Sequence, residues 1–280
     1  MAKRLSFISC SFLALVAIPL PARTQPFDPG LSVPEPTNQK DHEGFFNGPR
    51  VQIHGTAGDF LEFAETKRGF RPVVLILPAV VRPKSVTDRY NTWKFPQYLR
   101  DKGYSVALLE PGPRNQHWDE SLGLLIGNAI LQIDRSSARF GIDPDKVILF
   151  AECDAFAGAA RAGLDPEFVG SEQFKRIRAV LLVENSCSSK SGSNNPGTSM
   201  PADSPADAPP FFVISVPGSS SGGAGEMSAK LRAAHARVEQ LAVTTTVWHS
   251  ESSRLGGWMN ADAERIYEFL VAQSLLPKSN

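Results

Sequence analysis

The segment Lys146-Val147-Ile148-Leu149-Phe150 runs straight into Ala151-Glu152-Cys153-Asp154-Ala155 and then into Phe156-Ala157-Gly158-Ala159-Ala160-Arg161-Ala162. A short, continuous apolar run with β-branched residues is the pattern of a strand buried on both faces. The alanines and the glycine that follow read as a helix. Strand, sharp turn and helix in so short a span commit the chain to a layered α/β arrangement, in which a buried parallel strand feeds a helix packed back on the sheet.

The rest of the chain repeats that alternation. Val51 to His54 and Phe60 to Thr66 read as short antiparallel strands, and Val73-Val74-Leu75-Ile76-Leu77 as a fully buried strand stopped by Pro78. Trp93 to Lys102 has helical spacing and stops at Gly103, a residue suited to a helix C-terminus. Tyr104 to Leu109 is another buried strand. Asp119 is placed to cap a helix running to Arg139, with Leu122, Leu125, Ile126, Ile130 and Ile133 on one stripe. Asp143-Pro144 marks the turn into the next strand. Ala179 to Val183 and Phe211 to Val216 are further strands, Ser228 to Gln240 a helix, Val243 to Trp248 a strand and Ala261 to Leu275 a terminal helix. Strands and helices alternating at this spacing imply a mostly parallel sheet covered on both faces, in a single domain over residues 50–276. Two segments rich in Ser, Gly, Asn and Pro, 186–210 and 217–225, each leave the C-terminal end of a strand, the side where open α/β sheets carry ligands.

Composition narrows the function classes. With 42% apolar residues the 280-residue chain can bury a full core, and 29 basic residues balance 29 acidic ones. No net charge favours nucleic acid or an anionic membrane. Lys3 and Arg4, the apolar stretch Leu5 to Ile18 and Leu20-Pro21-Ala22 before Arg23 read as a secretory signal over residues 1–22. The alternative, a membrane anchor, asks for a longer uninterrupted run. The expected product is exported, periplasmic or secreted, with no membrane span in the mature chain. Residues 23–49 are rich in Pro, Gly and Asn without period and read as a loosely ordered arm. Of three cysteines, Cys10 falls in the signal, which leaves Cys153 and Cys187 in a compartment that permits disulfides.

The strand-turn-helix around Cys153 has the context of a nucleophile elbow, where the usual pattern is Gly-x-Ser-x-Gly. Here both glycines are alanine and the serine is cysteine. Together with Arg71 to Leu77, Gly103-Tyr104-Ser105-Val106, Pro111-Gly112-Pro113-Arg114-Asn115, Asp143-Pro144-Asp145-Lys146-Val147 and Asn260-Ala261-Asp262-Ala263, the elbow resembles the dienelactone hydrolase family of the α/β-hydrolase superfamily over residues 50–276. The resemblance implies an α/β-hydrolase fold, hydrolysis of a small-molecule ester or lactone, and a nucleophile, acid and histidine in that order. It also implies a cysteine nucleophile.

Cys153 is therefore the candidate nucleophile, since a thiolate at a helix N-terminus is favoured by the free N–H groups and the macrodipole. Two other readings stand beside it: a disulfide with Cys187, or a cysteine acting as a small buried hydrophobe. Glu152 and Asp154 flank the sulfur with negative charge, which raises a thiol pKa. The N–H of Asp154, and a second near Val80, are the oxyanion donors. The aspartate expected after Phe211 to Val216 is absent; Pro217-Gly218-Ser219-Ser220-Ser221 stands there, and Glu226 is the first carboxylate. His249 is the provisional base, a few residues before the position the resemblance implies. His117, in the loop after Leu109, is a second choice for a substrate contact, whereas His42, His54 and His235 suggest no role. Neither metal-ligand spacing nor a phosphate or dinucleotide loop is present, so no metal and no cofactor are expected. The alternative to an enzyme is a catalytically degenerate relative that kept the scaffold for binding.

Overall fold

Eight strands form one mixed sheet in the order β1-β2-β4-β3-β5-β6-β7-β8. They are β1 (Arg50–Gln52), β2 (Phe60–Phe63), β3 (Arg71–Leu77), β4 (Ser105–Glu110), β5 (Ile142–Glu152), β6 (Ile177–Val183), β7 (Phe211–Ser215) and β8 (Val238–Ala242). The computed structural model describes residues 48–54, 58–64, 69–78, 94–110, 121–152, 155–183, 200–215, 223–242 and 256–277. All of them belong to one unit, Pro36–Asn280. β1 and β2 pair antiparallel, as does β2 with β4; every pairing from β4 through β8 is parallel.

The continuous apolar runs become the central strands for the reason their composition implies. Val73 to Leu77, Val147 to Ala151 and Ala179 to Val183 are all buried, because helices cover both faces. The helices are α1 (Lys94–Asp101), α2 (Ser121–Phe140), α3 (Ala155–Ala162), α4 (Pro166–Val169), α5 (Ser171–Phe174), α6 (Gly223–Ala233) and α7 (Gly256–Ala272). Strand alternation sorts the core into two layers. Val147, Leu149 and Ala151 meet Leu122, Ile126 and Ile130 of α2, Ala155 and Ala159 of α3 and Leu231 of α6. On the other face Ile148 and Phe150 meet Phe95 and Leu99 of α1 and Ala263, Ile266 and Phe269 of α7.

The turn read at Asp143-Pro144 is a bulge. β5 pairs with β3 at Ile142, and the ladder resumes only at Val147. The Asp143 carboxylate accepts a hydrogen bond from the Asp145 N–H at 3.2 Å, the local closure such turns favour. The short helices α4 and α5 follow α3, and the signal for α4 is in the chain. Asp165 caps α4 by accepting from the N–H groups of Glu167 and Phe168, with Pro166 in the first turn.

The reading of the region after Ser215 needs correction. A helix over Ser228 to Gln240 was expected, but α6 ends at Ala233 and β8 begins at Val238. The stop is at His235, which takes φ 60° without being glycine. The N–H of Ala236 donates to the Leu231 carbonyl and that of His235 to the Arg232 carbonyl, both at 3.0 Å, a Schellman closure. The strand expected over Val243 to Trp248 lies outside the described residues. The first strand starts at Arg50 and ends at Gln52, two residues short of His54.

Candidate active site

β5 lies between β3 and β6, parallel to both, and stays in register to its end. Ala151 pairs with Leu77 on one side and Leu182 on the other, and Glu152 pairs with Val183. α3 begins at Ala155. Cys153 and Asp154 are thus the whole connection between the central strand and its helix. Those two residues, together with Val80, His117, Cys187 and His249, lie outside the described residues. What the structure describes is the frame around them.

That frame accommodates the elbow alanines. Ala151 and Ala155 are fully buried, and neither takes a positive φ; among the described non-glycine residues only His235 and Ser274 do. Replacing glycine by alanine at these two places therefore asks for room rather than for a left-handed backbone.

Room is made on the helix side by α3 itself. A methyl group on Gly158 would stand 2.0 Å from the Leu122 Cδ2 atom, so the bare backbone of α3 is what lets α2 close over it. Just beyond the helix, a Cβ at Gly163 would stand 2.7 Å from Phe211 and 2.9 Å from Val180. Small residues here bring the C-terminal end of α3 down against β6 and β7.

Glu152 is fully buried at the C-terminal end of β5. Its parity is that of Ile148 and Phe150, which places it on the face covered by α1 and α7. In the sequence it stands only as a charge flanking the sulfur. Carrying the period of two onward from Phe150 is the signal that assigns it to an interior face.

The first carboxylate after β7 turns outward. Glu226 is exposed on α6, and its carboxylate accepts from the Lys230 amine one turn on at 2.6 Å. That hydrogen bond holds its carboxyl below the usual value. The two described histidines are also remote from the end of β5. His54 follows β1 at the sheet's far edge, and His235 sits between α6 and the start of β8, at the opposite end of the parallel strands. Both are exposed.

Among the described residues no group of three His, Cys, Asp or Glu side chains could hold a metal ion. No described helix is long and apolar enough to cross a membrane.

No family model matches this chain, and no curated protein matches it in sequence. Solved structures do match in three dimensions. Esterase 2 of Thermogutta terrifontis superposes with a TM-score of 0.60 at 13% identity, covering 84% of this chain and 97% of the esterase. A butyrate-bound structure of that thermophilic esterase gives 0.57 at 14% identity, over 82% and 94% of the two chains. A sugar hydrolase, YeeB of Lactococcus lactis, gives 0.58 at 14% identity and covers 81% of this chain and all of its own. The chain has the α/β-hydrolase fold. In an α/β-hydrolase the turn from strand to helix carries the nucleophile at the top of the sheet.

Proposed function

We propose that this protein hydrolyses a small carboxylic ester or lactone, as a dienelactone hydrolase-like enzyme with Cys153 as nucleophile. The observation that carries the reading is that only two residues of chain join Glu152, the last of β5, to Ala155, the first of α3. It leaves Cys153 at the C-terminal end of a central parallel strand and just before a helix N-terminus, where free N–H groups favour a thiolate. The esterase names of the structural neighbours point to the same bond type. His249 is the proposed base, and the N–H groups of Asp154 and Val80 are the proposed oxyanion donors. His117 is proposed to touch substrate. The positions of His54 and His235 support this choice by removing two of the five histidines from contention. Export through residues 1–22 belongs to the same proposal.

One observation favours the degenerate alternative. Residues 216–222 contain no carboxylate, and Glu226 is already tied to Lys230. Hydrolysis of a short-chain aryl ester by the mature protein and by Cys153→Ala separates the two. The cysteine hydrolase requires turnover that falls to background in the variant. Equal background rates in both would sink the nucleophile assignment for that substrate class and turn the search to what the scaffold binds.

A further inference from the structure

We propose that the protein forms a two-fold symmetric dimer in which the outer edge of β8 pairs antiparallel with β8 of a second copy. An open strand edge with a charge pattern that complements itself carries the proposal, which stands apart from the hydrolase reading.

β8 ends the sheet order and is paired on one side with β7. The Phe211 N–H donates to the Arg237 carbonyl at 2.8 Å. Backbone groups alternate in direction along a parallel ladder, so Glu239 and Leu241 turn theirs toward β7, and Val238, Gln240 and Ala242 turn theirs outward. Among the described residues nothing bonds to those outward groups. Glu239, Gln240 and Ala242 are exposed. A row of unpaired N–H and C=O groups is a template for another strand. The opposite edge of the sheet offers less: β1 spans only Arg50–Gln52, and Arg50 is held by Glu62 and Glu110.

Side chains select the occupant and its register. Arg237 and Glu239 share the face of Leu241, which packs with α7. Neither makes an ion pair among the described residues; one Arg237 nitrogen donates to the Ala208 carbonyl at 3.3 Å. Beside them lies a hollow of about 230 Å³, lined by Pro210, Arg237, Val238, Glu239, Phe269 and Gln273. The end of α7 therefore leaves room on that face for the side chains of an added strand.

An antiparallel partner must set outward groups against outward groups. With the two-fold axis at Val238, that residue exchanges both bonds with Val238 of the second copy. The Gln240 N–H then meets the Ala236 carbonyl of the second copy, while each Ala236 N–H stays on its own Leu231. In this register Arg237 stands opposite Glu239 of the second copy, and Glu239 opposite Arg237, as non-hydrogen-bonded pairs, the kind whose side chains come closest. An axis at Glu239 would oppose two carboxylates, which destabilises; an axis at Gln240 would set Glu239 against Leu241. Self-complementarity of this kind is what an isologous interface between copies requires.

An edge of five residues buries less than a standard interface, so a dissociation constant of micromolar order is expected. Sedimentation velocity of the mature chain, beginning at Arg23, reads it at loadings from about 1 to 100 μM. Glu239→Lys is expected to weaken the dimer about tenfold or more, because the attractive pairs become like-charged ones. The exchanged variant, Arg237→Glu with Glu239→Arg, is expected to associate as the parent does, since the same register pairs the charges again. Gln240→Pro removes an outward N–H and leaves the ladder to β7 intact, so it gives monomer with an unchanged far-UV circular dichroism spectrum. A chain that stays monomeric at every loading overturns the proposal, and so does a dimer that Glu239→Lys leaves intact. Should Gln240→Pro fail to fold, the charge reversal and its exchange decide alone.

Discussion

Gly103, His235 and Ser274 hold the same left-handed backbone, at φ 97°, 60° and 58°. Each closes a helix with the same pair of hydrogen bonds: Tyr104 N–H to Leu99, Ala236 N–H to Leu231 and Leu275 N–H to Leu270 are the outer bonds. Glycine enters this conformation without steric cost, whereas a Cβ costs about 1–2 kcal/mol there. Against that relief stands the greater entropy that glycine loses on folding, about 0.5–1 kcal/mol. His235→Gly is therefore expected to stabilise the fold by about 0.5–1 kcal/mol, measured as a rise in the urea midpoint at unchanged slope. The same residues explain what could be read in advance. Gly103 announces its helix end, and the end of α1 is where the sequence places it. His235 carries no such signal, and the helix-compatible Arg237-Val238-Glu239-Gln240 hid the strand β8. At Glu152 a flanking charge was legible, but its burial was not, because burial depends on how far the ladder continues past Phe150.

Elements pack through their smallest residues on one face and through a polar latch on the other. On the first face, a Cβ at Gly123 of α2 would stand 2.2 Å from the Phe168 carbonyl oxygen, and one at Gly127 2.3 Å from that of Val169. Helix propensity alone would reward Gly123→Ala by about 1 kcal/mol. Overpacking against backbone costs about 1–3 kcal/mol or more, and backbone cannot rotate aside as a side-chain tip can. Packing wins, so Gly123→Ala is expected to destabilise by about 1–2 kcal/mol in the same denaturation measurement. The apolar stripe of α2 was legible in the sequence; the partner of its glycines was not, since α4 is too short to announce itself by periodicity. On the second face the Tyr98 hydroxyl of α1 donates to the Glu264 carboxylate of α7, and the Lys102 amine donates to it at 3.1 Å while lying 4.4 Å from the Tyr267 ring centre. Tyr98 first and Lys102 second hold the Glu264 carboxyl below its ordinary value of 4.5. A depressed carboxyl contributes stability above its unfolded value and loses it as pH falls through the folded one. Lys102 is raised above its ordinary 10.5 by the same contact and loses its share only as pH rises past that range. Glu264→Gln is thus expected to lower Tm at pH 7 and to converge with the parent protein as pH falls below the ordinary 4.5 and through the lowered Glu264 value, a difference read from paired melting curves.

At the scale of the whole molecule, the sheet decides which chemistry-bearing residues can meet. β5 and β6 are adjacent and parallel, pairing to their last residues at Glu152 and Val183. In chain order Cys153 is one residue past the end of β5 and Cys187 four past the end of β6, two strands that finish at the same end of the sheet. The proposed export would give an oxidant its opportunity to join the two thiols. A bond between the two sulfurs would occupy the nucleophile and close the site until reduced. The cysteine hydrolase reading therefore makes a definite demand on a chain prepared to begin at Arg23, which lacks Cys10. Two thiols per chain must titrate under denaturing conditions without prior reduction, and in the native protein Cys153 must alkylate the faster, because in chain order it lies two residues before the helix start at Ala155, where a thiolate is favoured. A chain that yields no thiol until reductant is added carries the disulfide instead, and ester turnover that appears only with that reductant would make the bond a lock on the same nucleophile.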